Sequence, residues 1–208
     1  MVYSIFYALG SNNKKIKGID NIIEYKKVLF KNIKITITGN SNKIIIDKGT
    51  RLTNCKIKIM GNNHQLIICD NCILKNTEFW IEDSDCKIQV GSHTTIEGAQ
   101  IASVEKNSSI IIGEDCMLSQ GINITTTDSH SIIDANTQKR INRAKNIVIG
   151  NHVWIGAYCK ILKGVTINDN TVIGIGSTVT KSITNNCVAV GVPAKVTKHN
   201  INWLRNRI

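Results

Sequence analysis

The residues best suited to chemistry fall in one polar stretch, TTTDSHSIIDANTQKRINRAKN, centred on roughly Thr126 to Asn146. It contains Asp128-Ser129-His130. An imidazole changes protonation near neutral pH, so a positioned His130 suits the removal of a proton from a hydroxyl nucleophile. Asp128 could orient that ring or hold a substrate; it could equally cap a turn. Arg140 and Arg143, further along, carry charge that could bind acidic groups on a ligand. The plain alternatives are a solvated loop histidine and a solvated charged loop.

The flanking sequence explains why this stretch stands out. From Ile149 to Thr184 the chain divides into sixes: IGNHVW, IGAYCK, ILKGVT, INDNTV, IGIGST, VTKSIT. An aliphatic residue opens each one (Ile149, Ile155, Ile161, Ile167, Ile173, Val179), and a slim residue follows four places later (Val153, Cys159, Val165, Thr171, Ser177). A helix of 3.6 residues per turn would scatter those aliphatics around its surface. A triangular solenoid keeps them on its axis, and hexapeptide repeats are a signature of parallel β-helices. Before the polar stretch the step is longer. Ile46, Ile68, Val90 and Ile112 each follow the last by 22 residues, as do Leu52, Leu74, Ile96 and Leu118. Ile44, Leu66, Ile88 and Ile110 form a third column, and Thr50, Cys72, Thr94 and Cys116 the slim one. The four residues beyond three hexads are expected in ITGNSNKI, IMGNNHQL, IEDSDCKI and VEKNSSII, as hairpin-like corners. The ladder then resumes at Ile149, fifteen residues later than this step predicts. A solenoid expels such an insertion as a loop, and a loop on a rigid scaffold often carries function.

Composition agrees. The 208 residues are 5% aromatic with a single proline, which suits stacked aliphatics more than a globular core of large rings. Cys72, Cys116 and Cys159 occupy slim inward slots, and Cys69-x-x-Cys72 has no second pair at zinc spacing, so the seven cysteines read as core packing in a reducing cytoplasm. The net charge is +11, but the lysines are spread along the chain with no aromatic-interleaved cluster, which argues against nucleic acid. It favours an acidic carbohydrate or a phosphate-bearing co-substrate. MVYSIFYALG lacks a basic start and is too short to span a bilayer, so any membrane association would be peripheral.

TTTDSHSI, KRINRAKNIVIGNHVWIGAYCKILKGVTI, IGIGSTVTKSI and VGVPAK together resemble the left-handed β-helix acyltransferases of the hexapeptide superfamily. The likeness is greatest to bacterial O-acetyltransferases of capsular and other surface polysaccharides. It is specific from about Ile110 to Val196 and looser before. The resemblance implies the left hand, a homotrimer with active sites between subunits, and acetyl-CoA as co-substrate. It implies His130 as general base at the matching point of the D-x-H loop, and an oxyanion-binding backbone N–H near Trp154 to Gly156. It places Trp154, at the outward end of its hexad, at the substrate and coenzyme cleft; subunit packing is the other reading of that ring. Coenzyme A is expected along Gly174, Gly176 and Ser177, with Lys181 and Lys195 meeting phosphates. The zinc-binding histidine trio of β-helical carbonic anhydrases has no match here, and no metal is expected. His93 and His152 fall at outward corners.

The expectation is one all-β acyltransferase domain over 1–208, a left-handed parallel β-helix. It has a lead-in over 1–31, coils over 32–184 with the inserted loop 126–146, and a tail over 185–208. In that tail Ile201, Leu204 and Ile208 form one face of a short C-terminal helix. The expected reaction is acetyl transfer to a polysaccharide hydroxyl. A small-acceptor acetyltransferase and a non-catalytic β-helical binding module remain open at this point.

Overall fold

Aliphatic residues recurring at a fixed step build three parallel sheets around one axis. The computed structural model describes residues 7–9 and 11–208. Each coil runs along sheet B, turns onto sheet C, turns onto sheet A and returns to B; the sheets hold ten (A), eight (B) and seven (C) strands. The columns seen in the sequence are the lateral pairings. Ile44, Leu66, Ile88, Ile110 and Ile147 lie in register on sheet C, all fully buried. Alternation on each strand sends the neighbours of these residues outward.

Corners are made by single residues with a left-handed backbone. At the turn from C to A these are Gly49, Asn71, His93, Asp115, His152 and Asn170, with φ from 51° to 75°. Asn and Asp tolerate that region through local side-chain bonding, which accounts for the abundance of Asn. The four extra residues of the 22-residue coils lengthen sheet B and its exit: Lys56–Asn62 and Glu78–Ser84 are seven-residue strands, whereas Lys160–Ile161 has two. No hairpin forms there, because each strand pairs with the coil above and below, not with its chain neighbour. The buried thiols fill the slim slots, and burial pushes Cys72 up to about 12 and Cys116 to about 11, which keeps them unreactive.

Two boundaries differ from the sequence expectation. The coils begin earlier, since Asn13–Lys17 already pairs with Lys34–Thr38 and Ile22–Tyr25 with Lys43–Ile46. Tyr7–Leu9 pairs with Leu29–Lys31, and the remainder of the expected lead-in, residues 1–6 and 10, lies outside the described residues. The C-terminal helix does not form, and no helix is present among the described residues. Cys187–Gly191 instead turns through the cis Val192–Pro193 bond into the antiparallel strand Ala194–His199. Asn200 then takes φ 56°, and the last eight residues form neither helix nor strand, with a bend at Arg205 and Asn206. A segment that short gains little from helical hydrogen bonds, and docking of Trp203 decides its path.

A polar column lines the turn from B to C. Asn42 Oδ1 accepts the His64 N–H at 3.0 Å, and His64 Nδ1 accepts the Cys86 N–H at 3.2 Å. The Nε2 of His64 faces the Met60 carbonyl at 3.2 Å, a pattern that fits only the neutral ring. Burial holds the His64 pKa below its ordinary value. The unfolded chain therefore binds a proton that the native state resists, so stability is full above pH about 6.5 and declines as pH falls below it. His64→Asn copies the residue one coil earlier. Urea unfolding of this variant is expected to lose less stability between pH 7 and pH 5 than the wild type.

Candidate functional site

The insertion leaves sheet B after Ile122–Thr125 and re-enters on sheet C at Ile147–Ile149. Its flanks keep register with the preceding coil, Ile112 opposite Ile149, so the loop departs without disturbing the ladder. Outside the coil it folds into a short hairpin: Ile133 bridges Arg140, and Ile141 N–H bonds Ile132 O at 2.9 Å. Asp134 Oδ1 caps the turn, accepting the N–H groups of Asn136 and Thr137.

Three coils hold this loop at one corner. From the coil before it, Glu105 accepts both arms of Arg140, at 2.9 and 2.6 Å, together with the Thr127 hydroxyl and the Ala144 N–H. From the coil after it, Lys163 Nζ donates to Asp128 Oδ2 and to Asn142 O at 2.7 Å. Asn142, buried at 8% exposure, is the hub. Its Nδ2 donates to Asp128 Oδ2 at 2.9 Å and to His130 O at 2.8 Å; its Oδ1 accepts Ile132 N–H at 2.7 Å and Arg140 Nε–H at 3.1 Å. Every hydrogen-bonding position of that amide is used. Burial would raise the Glu105 pKa, but the bonds from Arg140, Thr127 and Ala144 outweigh it and hold the carboxyl below its usual range. The Lys163 and Asn142 bonds likewise lower Asp128.

These contacts redefine several expected roles. His130 is exposed, and among the described residues its imidazole makes no hydrogen bond; its backbone is held by Asp128 O and Asn142. Asp128 does not orient that ring, because its carboxylate is engaged by Lys163 and Asn142. The Arg140 guanidinium is engaged by Glu105 through both arms. Arg143 is exposed and has no ion pair among the described residues. Asn142, Lys163 and Glu105 escaped the sequence reading because Glu105 and Arg140 are 35 residues apart, and so are Asp128 and Lys163.

The expected coenzyme residues lie elsewhere on the prism. Trp154 is on sheet A, 37% exposed, with its ring 6.1 Å from that of Trp203. Trp203 is buried, stacks on His152 at 4.1 Å and donates its indole N–H to His152 O at 2.7 Å. His152 contacts Asp115 Oδ2 and Trp203 O, and Asp115 also binds Arg205, so His152 fastens the tail. The Trp154 and Gly156 N–H groups are bound to Thr171 O and Ile173 O, which removes both as oxyanion donors. Among the described residues, the Ala157 and Ile175 N–H groups at that corner have no backbone partner.

Gly156 is buried, and a Cβ there would meet Ile175 N at 2.7 Å; a Cβ on Gly174 would meet Val190 at 2.4 Å. Gly176 alone, at φ 71°, opens onto free space. Ser177 is fully buried and accepts the Gly191 N–H at 3.1 Å, so its hydroxyl anchors the hairpin. Lys195 is exposed on the last strand, whereas Lys181 follows the last strand of sheet B, on the corner of Lys163. Within one chain, His130 leaves sheet B toward C while Trp154 stands on A, and the two are not brought together. The described residues hold no group of three or more His, Cys, Asp or Glu able to bind a metal, and no helix long and apolar enough to cross a membrane.

Comparison with known proteins sets this geometry in context. The family "Bacterial transferase hexapeptide (six repeats)" matches residues 146–181. A polysialic acid O-acetyltransferase from Neisseria meningitidis is 38% identical over 158 residues, 75% of this chain and 72% of that protein. One from Escherichia coli O1:K1 / APEC is 38% identical over 119 residues, 57% of this chain, and the match spans 38% of that relative's length. The crystal structure of the polysialic acid O-acetyltransferase OatWY superposes with a TM-score of 0.89 at 35% identity, covering 95% of this chain and 93% of that one.

Glu105→Ala removes both arms of the Arg140 pair and is expected to lower the local stability of the loop by about 2 kcal/mol. Hydrogen exchange of amides 126–146 should quicken correspondingly. Because the Glu105 and Asp128 carboxyls sit below their ordinary pKa values, their contribution is complete above pH about 4.5 and is lost as pH falls through the lowered values. Exchange corrected for intrinsic rate should therefore stay flat from about pH 5 to 8 and rise only in acid.

Proposed function

This chain belongs to the hexapeptide-repeat O-acetyltransferases with the left-handed β-helix, and from that premise we propose that it transfers acetyl from acetyl-CoA to a hydroxyl of a bacterial capsular or surface polysaccharide. The whole of 1–208 works as one acyltransferase unit. The observation that carries the reading is the state of His130: a loop fastened across three coils presents one imidazole with no hydrogen-bond partner among the described residues. Family membership supplies the reaction, and the relatives act on polysialic acid, so the acceptor is taken to be an acidic glycan.

In this reading His130 accepts the proton of the sugar hydroxyl as its oxygen attacks the thioester carbonyl. The tetrahedral oxyanion collapses, coenzyme A thiolate leaves, and the imidazolium returns the proton to sulfur. No acyl-enzyme is required. Asp128, Asn142 and Lys163 keep the loop in place. The free Ala157 and Ile175 N–H groups are the donors available to the oxyanion and to the pantetheine amides. The co-substrate fits the corner at Gly176, where Tyr158 (59% exposed), Ile175 (73%) and Val192 (75%) offer an apolar strip, with Lys195 for a phosphate.

The separation of His130 from Trp154 favours a homotrimer, with the loop of one subunit reaching the Trp154 face of the next. Sheet C carries an outward aliphatic column, Ile45, Ile67, Ile111 and Val148, interrupted by Gln89. The loop adds exposed Ile132, Ile133 and Ile141. Arg143 remains available to an acidic acceptor. A cytoplasmic placement, peripheral at the membrane, follows from where such polymers are made.

His130→Ala is expected to lower kcat with acetyl-CoA and polysialic acid by about two to four powers of ten, with KM for acetyl-CoA little changed. Unaltered turnover would remove His130 from the mechanism. Trp154→Ala should raise KM for one or both substrates in the same assay.

A further inference from the structure

Lysines that look dispersed along the sequence are collected by the coil onto one face. The outward positions of sheet B align Lys15 with Thr36, Thr36 with Lys58 and Lys58 with Trp80. In the column on one side Lys34 aligns with Lys56 and Lys56 with Glu78, and on the other side Lys17 of the first coil aligns with Thr38. Lys15, Lys17, Lys34 and Lys56 are exposed, Lys58 is half-buried, and none of the five forms an ion pair among the described residues. The carboxylates on the Trp80 strand are Glu78, Glu82 and the exposed Asp83 at its exit, and Glu82 accepts the Trp80 indole N–H at 2.8 Å. Trp80 points outward from its strand, opposite in phase to the buried Phe79 and Ile81, with Lys58 Nζ 4.7 Å from its ring centre. The residue aligned with Trp80 on the next coil is Ala102, too small to crowd the ring.

The same column continues to the reaction centre: Trp80, Ala102, then Thr125, the last strand residue before the His130 loop. Strands stack about 4.8 Å apart, so Trp80 lies roughly 10 Å and Lys15 roughly 24 Å along the axis from Thr125. A single sugar cannot span that distance; an extended anionic chain can. We propose that the N-terminal half of sheet B (Lys15, Lys17, Lys34, Lys56, Lys58 and Trp80) is a distal binding track for the acidic polysaccharide, holding the polymer while one of its residues reaches His130. The lysines provide point charges for carboxylates, and Trp80 an aromatic surface on which a sugar ring can pack. Sheet C, with its aliphatic column, is the side suited to subunit contact, which leaves this face to the acceptor. The track makes polymer length a determinant of rate, since short acceptors cannot occupy both ends.

The inference rests on the acidic-acceptor reading, and two readouts separate their failures. The variant K34Q/K56Q/K58Q and the variant Trp80→Ala are compared with wild type using polysialic acid and a three-residue sialic acid oligomer. For polysialic acid the triple variant should raise KM by about tenfold and flatten its rise with salt. The kcat, the KM for acetyl-CoA and the turnover of the trimer should stay unchanged. Equal effects on both acceptors, or none on either, would overturn the track. Direct binding of polysialic acid without acetyl-CoA gives the second readout. Wild type that binds the polymer through these residues yet never acetylates it upholds the track and defeats the enzymatic reading; wild type that acetylates the polymer with variants binding it normally does the reverse. Binding of anionic vesicles or DNA through the same lysines, with none of polysialic acid, also overturns it. Circular dichroism guards against misfolding, and the conservative K34R/K56R/K58R variant should restore polymer KM.

Discussion

The inward aliphatic ladder is the interaction on which the rest of this structure depends. Each coil buries its large side chains against those one coil above and below, and lateral hydrogen bonds fix that stacking residue by residue. A shift of one position would turn the buried set outward and strand backbone groups at every corner. Register is consequently rigid, and every outward side chain inherits a fixed height and side on the prism. The corners absorb the chain's changes of direction through single left-handed residues, so they tolerate Asn, Asp and Gly without loss of packing.

That rigidity makes the insertion useful. Fifteen additional residues leave the coil and return in register, and what they form outside is held by charge pairing between neighbouring coils. Glu105 and Lys163 grip the loop from opposite sides, and Asn142 ties the two grips together while bonding the backbone of His130. Most charged groups here neutralise one another, leaving the one imidazole suited to proton transfer unpartnered. The site is thus ordered by groups that take no part in the chemistry proposed for it.

The other residues proposed for the site are distributed over the prism. Trp154 and the Gly176 corner lie away from His130, and the tail doubles back so that Trp203 and Arg205 fasten onto His152 and Asp115. The proposed homotrimer would unite these faces. Along sheet B, the period that stacks isoleucines inside also stacks lysines outside, turning a diffuse positive charge into a directed surface.

The sequence alone determined the architecture, because a period of 6 or 22 is a statement about one dimension and a solenoid grows in one dimension. Ile44 to Ile147, the slim cysteines, the length of the insertion and the place of His130 were all legible in that way. It misjudged the ends, where the repeat gives no guidance: the coils begin by Asn13, and the tail is irregular where a helical pattern was read. Contacts between chain segments 35 or more residues apart were decided only by the tertiary structure. Arg140 and Asp128 look like isolated charges in the linear pattern and are paired by the fold with Glu105 and Lys163, while Ser177 is both a slim ladder residue and an anchor for the hairpin. Charge showed the same limit. Lysines 22 residues apart appear scattered in the chain and become neighbours once the coil closes, since only the closed turn gives an outward position an address.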